Sequence, residues 1–133
     1  MVGLTHNTSS GQIYFVSPAH RGRADEHKSI WVIEPTEEIA CFDNAYTCLW
    51  YAGDKSWGLR IQGLNQLEII GTNISRDSLR IAKFTYDSGQ WHGYPADVNR
   101  KPKDRPAPAI LAKWVSDGLI SKPFMARIQG GRL

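Results

Sequence analysis

Four of the seven prolines fall in residues 95–108, inside the stretch "GQWHGYPADVNRKPKDRPAP" (89–108). Proline lacks a backbone donor and pushes the residue before it toward extended conformations, so no long regular element is expected to cross this segment. The same segment carries Arg100, Lys101, Lys103 and Arg105. It reads as a basic strap held extended by its prolines within a single domain spanning 1–133. Just before it, Gln90 to Pro95 reads as a turn locked by the packing of Trp91.

Upstream, short β-branched and aromatic runs alternate with polar breaks. "GQIYFVSP" (11–18) and "SIWVIE" (29–34) read as strands joined by a polar loop at 20–29. From Thr36 the period changes: Ile39, Phe42, Tyr46, Leu49 and Trp50 recur on one helical face, with Glu37 and Glu38 in the first turn and Thr36 as N-cap. Cys41, Ala45 and Cys48 extend the buried side. "WGLRIQGL" (57–64) and "QLEIIGTNI" (66–74) suit a hairpin, and "SLRIAKFTY" (78–86) a further strand whose Arg80 and Lys83 alternate with apolar residues. Asp87-Ser88-Gly89 is turn chemistry. Beyond the strap, Ile110, Leu111, Trp114 and Val115 form one apolar helical face, closed by Gly118. Ser121 then caps a shorter helix ending at Gly130-Gly131. The order implies an α+β fold: a mainly antiparallel, optionally mixed sheet, one helix in the N-terminal half and a C-terminal helix pair.

Length and composition suit one ordered domain, with 41% hydrophobic residues and five tryptophans in 133 positions. No apolar run approaches the roughly 18 residues of a membrane span, so no membrane contact and a cytoplasmic location are expected. Cys41 and Cys48, seven residues apart on a helix, lie roughly 10 Å apart along its axis, beyond disulfide reach. The formal charge of +3 is unevenly spread: residues 1–97 hold 8 Lys/Arg against 11 Asp/Glu, and residues 98–133 hold 8 against 2. Attraction to nucleic acid or an acidic partner is therefore expected in the last quarter of the chain.

His92 is the one candidate acid/base, with Asp97 to orient its imidazole and Tyr94 to donate a hydrogen bond. Trp91 and Tyr94 can stack on a base or anchor a partner, and Arg100, Lys101, Lys103 and Arg105 can meet phosphate. Lys122 and Arg127 sit on the closing helix, where a helix-turn-helix arrangement would use them. The four histidines are scattered, Cys41 and Cys48 match no zinc spacing, and no phosphate-loop or nucleophile motif is present, so neither metal nor cofactor is expected.

The strand "LRIAKF", the "WHGYP" turn, the basic strap and the closing "ILAKWVSDGLISKPFMARIQGG" resemble a group of small uncharacterised bacterial and phage proteins across 78–131. The resemblance implies such an origin and a unit that folds together; it carries no activity. Three functions remain open. The favoured one is a non-enzymatic interaction protein of inhibitor, immunity or antitoxin type, acting on a protein partner. The others are nucleic-acid binding through 99–132 and a small nuclease or phosphate-handling enzyme using His92.

Overall fold

The sheet grows from one tight hairpin. A computed structural model describes residues 1–133, and in it Ser88 (φ 53°) and Gly89 (φ 83°) both take left-handed backbone, the geometry that matches a two-residue turn to strand twist. They join β10 (Ile81–Asp87) to β11 (Gln90–Ala96) in register from Asp87–Gln90 to Ile81–Ala96. On the far side of β10 lies β5 (Lys55–Gly58), edged by β4 (Tyr51–Ala52). On the far side of β11 lies β2 (Ile13–Phe15), which pairs with β1 (Thr5–Asn7). The six-stranded order is β1-β2-β11-β10-β5-β4; every pairing is antiparallel except β11 with β2. A three-stranded sheet of β3 (Ile30–Trp31), β8 (Gly71–Thr72) and β9 (Ser78–Leu79), and a hairpin of β6 (Ile61–Gly63) with β7 (Gln66–Leu67), complete the strands.

Three helices cover this framework: α1 (Pro35–Thr47), α2 (Pro108–Ser116) and α3 (Lys122–Gln129). The fold is thus α+β, with a mixed, mostly antiparallel main sheet. Helix α1 packs on one face of that sheet, where Phe42 meets Tyr14, Phe84 and Trp91 at ring distances of 5.1–5.3 Å. Helices α2 and α3 bury Ile110, Leu111, Trp114 and Ile128 in the same continuous core. Ser121 accepts from the Phe124 N–H as N-cap, and Gly118 (φ 73°) follows α2 in left-handed conformation. No helix is long and apolar enough to cross a membrane.

Several expectations change. Residues 90–96 form a central strand rather than a turn. β2 pairs with β11 only at Trp91, so Pro95 lies where β11 has become an edge, a position proline tolerates. The strap is not extended: Pro102–Asp104 is a 3-10 turn folded against the sheet. Thr36 is not the N-cap. Glu34 is, exchanging hydrogen bonds with Glu37 in a capping box, with Pro35 in the first turn. The helix ends at Thr47 because Leu49 turns left-handed (φ 64°), leaving Leu49 and Cys48 exposed. The strand expected over 29–34 is confined to 30–31, and the runs at 57–64 and 66–74 split between sheets, keeping a hairpin only around Asn65. Lys83, expected on a polar face, has a side chain only 8% exposed.

The tightest backbone approach in the main hairpin is at Gly93. A Cβ there would lie 2.3 Å from Phe84 Cδ1 and 2.8 Å from the Lys83 carbonyl oxygen. Gly93→Ala is expected to cost about 1–3 kcal/mol, the range for overpacking a filled core. Thermal denaturation beside Gly22→Ala, where a Cβ meets open space, checks it.

Candidate functional site

Side chains alternate across a strand, so Lys83 on β10 and Tyr94 on β11, paired in register, share the face opposite Phe84 and α1. Trp57 of β5 stands opposite Lys83. The strap closes over these three. Asp104, 1% exposed, accepts a hydrogen bond from the Tyr94 hydroxyl at Oδ1 (2.7 Å) and from the Asp97 N–H at Oδ2 (3.0 Å). The Lys83 ammonium lies 3.9 Å from Asp104 Oδ1 and donates to the Lys103 carbonyl at 2.6 Å, while the Trp57 indole donates to the Asp104 carbonyl at 3.1 Å. A carboxylate buried this deeply is tolerable because its oxygens are satisfied and a cation is near. Burial holds the Lys83 ammonium below its usual value, with Asp104 pulling the other way. Burial, reinforced by Asp104, pushes the Tyr94 hydroxyl far above the ordinary tyrosine range.

Two more loops meet the strap. Asn73, 7% exposed, accepts from the Ser75 and Asp77 N–H groups and donates to Asp77 and to Asp97 Oδ2 at 3.0 Å. Arg100 donates to Ser75 and pairs with Asp77 at 3.4 Å; Lys101 donates to the His27 carbonyl at 3.1 Å. Between loops 20–29, 73–77 and 97–104 opens a polar cavity of about 490 Å³. His20 stands at its wall, its ring stacked on Tyr94 at 5.2 Å and 22°. Its Nδ1 is 2.8 Å from the Ser29 carbonyl. A carbonyl only accepts, so Nδ1 carries the proton and Nε2 the lone pair. Burial holds this imidazole below its usual value; the Ser29 carbonyl opposes that, and His92, Lys28 and Lys101 add to it.

The residues singled out from the sequence scatter over three places. Tyr94, Asp97, Arg100, Lys101 and Lys103 all line the cavity. Asp97 does not orient His92, because its carboxylate is taken by Asn73. His92 is half-buried on the Tyr94 face of β11, its ring makes no hydrogen bond within the chain, and it does not line the cavity. Trp91 is 3% exposed, packed on Phe42 and Tyr46 with its indole donating to Gln12, so its ring belongs to the core and not to a stacking surface. Arg105 faces away and latches the strap to the end of α3, donating to the Val98 and Gln129 carbonyls. Arg127 lies over the Phe124 ring in a separate depression with Gln62, Gln66 and Arg80, and Lys122 lines neither.

His20, Ser29, Asn73 and Asp104 were not singled out beforehand. Their signals were weak ones: a histidine behind Ser17-Pro18, an Asn four residues before an Asp, and an acid alone among cations. A second depression adjoins the cavity across Asn73 and Ile74; it holds Arg23 and Arg76 and no acid. Arg76 has left-handed backbone (φ 65°), which for a residue other than glycine is uncommon and concentrates at functional loops. No group of three or more His, Cys, Asp or Glu side chains comes together as a metal-holding set. Cys41 is buried, its thiol pushed up to about 12 by desolvation, and Cys48 is exposed and free.

No protein family, curated protein or solved structure matches this chain.

Two outcomes follow from this geometry. Asp104→Ala strands Lys83 and the Tyr94 hydroxyl and is expected to cost about 3–5 kcal/mol, whereas Lys83→Met with Asp104→Leu recovers most of the loss; urea denaturation measures both. A proton NMR titration is expected to place the His20 midpoint below 6.5. Folded His20 resists a proton that the unfolded chain accepts near that value. Its contribution to stability is therefore complete above it and is lost as pH falls toward the folded midpoint. His20→Asn, which keeps a donor for Ser29, is expected to lose less stability than wild type between about pH 7.5 and pH 5.5.

Proposed function

We propose that this chain is a binding protein whose partner is single-stranded nucleic acid, held across the cavity and the arginine-lined depression beside it. The observation that carries this reading is an imbalance of accessible charge. Arg23, Lys28, Arg76, Arg100, Lys101 and Lys103 line the two adjoining hollows. Of the four acids that line the cavity, Asp97 and Asp104 are 5% and 1% exposed and are consumed by internal donors. Solvent therefore meets an excess of cations around a concave surface with a His20–Tyr94 stack at its wall. A cationic groove with ring faces is what single strands require. The reading takes the protein as cytoplasmic and of bacterial or phage origin.

The helix pair supports this less than the loops do. Helix α3 has eight residues and Arg127 is held by the Arg132 carbonyl and the Phe124 ring, which leaves little for groove readout. An inhibitor that covered a basic groove with the acidic N-terminal part would need those acids free and side by side. Here the acids of the N-terminal part are dispersed: Glu37 and Glu68 pair with Arg60, Asp43 holds Ser9 and Ser10, and Glu38 is buried.

Binding of fluorescent single strands across a salt series tests the proposal. Affinity is expected to fall with salt at a slope of about 0.7 per neutralised phosphate. Lys101→Ala with Lys103→Ala is expected to lower both affinity and slope, while Lys122→Ala changes neither. Salt-independent or absent binding would sink the reading, as would displacement of the strand only by an acidic protein.

A further inference from the structure

We propose that the cavity also cuts RNA, with the imidazole of His20 taking the proton from a ribose 2′-hydroxyl. This rests on the nucleic-acid reading above and adds a reaction to it. The geometry is that of a held base. Nδ1 is tied to the Ser29 carbonyl at 2.8 Å, so the Nε2 lone pair is the free end of the ring. Nε2 has no hydrogen-bond partner within the chain, and His20 lines the cavity. The ring cannot tumble: it lies on Tyr94, and Tyr94 is pinned through its hydroxyl to buried Asp104. A general base needs a fixed lone pair within reach of the proton it takes, and a neutral state near pH 7. The depressed affinity of His20 for a proton supplies the second.

The cavity also holds cations of the kind a phosphodiester would need. Lys28 and Lys101, which line it with His20, act on that ring electrostatically. Lys28 forms no ion pair, and Lys101 is held toward the cavity by the His27 carbonyl. These ammonium groups can stabilise charge on the non-bridging oxygens as the phosphorus becomes five-coordinate.

In the step, Nε2 of His20 accepts the 2′-hydroxyl proton as the 2′-oxygen bonds to the adjacent phosphorus. The bond from phosphorus to the 5′-oxygen breaks, and that oxygen leaves with a proton from a water molecule in the open cavity. The products are a 2′,3′-cyclic phosphate and a 5′-hydroxyl. No oxidation state changes, and the proton held by His20 returns to solvent, where it neutralises the hydroxide left by that water. DNA, lacking the attacking hydroxyl, is bound and left intact.

The test uses the full chain with a short fluorescent RNA, its 2′-O-methyl counterpart and DNA of the same sequence, with products identified by mass spectrometry. The expected result is cleavage of the RNA alone, to ends carrying 2′,3′-cyclic phosphate. His20→Asn is expected to slow cleavage about 100-fold or more at saturating RNA while keeping the salt slope of binding, which the cations set, with affinity lowered only by the lost ring. If that variant does not fold, His20→Ala is assayed with added imidazole, which is expected to restore cutting. Wild-type protein that binds RNA without cutting it overturns this inference and leaves the binding reading standing. Cleavage of the 2′-O-methyl strand, or full activity without His20, overturns it as well. Failure to bind any strand removes both.

Discussion

The Asp104 carboxylate is the constraint from which the functional face is built. It is buried, and a buried charge persists only where its oxygens are met. The donors that meet it come from β11, through the Tyr94 hydroxyl, and from the start of the strap, through the Asp97 N–H, with the β10 ammonium of Lys83 alongside. One side chain thus fixes how the strap lies on the sheet. From there the order propagates: Asp97 holds Asn73, Asn73 shapes the 73–77 loop, and Arg100 and Lys101 are drawn onto the loops that wall the cavity.

A second buried carboxylate works on the opposite face. Glu38 of α1 accepts from the Tyr14 hydroxyl and from Arg21 at 2.5 Å, and Arg21 also reaches the Ile33 carbonyl. Desolvation raises the Glu38 carboxyl above its usual value despite both donors. Arg21 directly follows the 3-10 turn Pro18–His20, so this pair sets where the 20–29 loop begins and hence where the His20 ring stands. Hydrophobic burial fixes sheet against helix; the two carboxylates fix loops against sheet. Ion pairs of this kind add little net stability but leave few alternative arrangements.

What the sequence disclosed follows from the range of the interactions involved. Helices α1, α2 and α3, the Ser121 cap and the Asp87-Ser88-Gly89 turn depend on neighbours a few residues away, and all were legible. Residues 90–96 were not, because Gly93 and Pro95 argue locally for a turn while pairing with β10 overrides them. Lys83 misled for a related reason: alternation marks a face, yet a strap arriving from distant sequence covers that face. The basic rim was legible in part as charge, at Arg100, Lys101 and Lys103. The partners that orient it, His20, Asn73 and Asp104, sit on three loops that come together only after folding.

The single parallel pairing in the main sheet bears on the order in which the chain assembles. During synthesis the N-terminal hairpin emerges first, yet Tyr14 of β2 finds its register partner only in Trp91 of β11. Until that strand exists, β1 and β2 have no sheet to join and an aromatic side chain without its cover. The β10–β11 hairpin, closed by a two-residue turn, costs least in loop closure, so it can form before β5 and β2 pair with it. The first strands made are therefore among the last to be secured. That leaves the N-terminal edge as the segment whose backbone amides should exchange earliest and whose unpaired strands are most exposed to neighbouring chains.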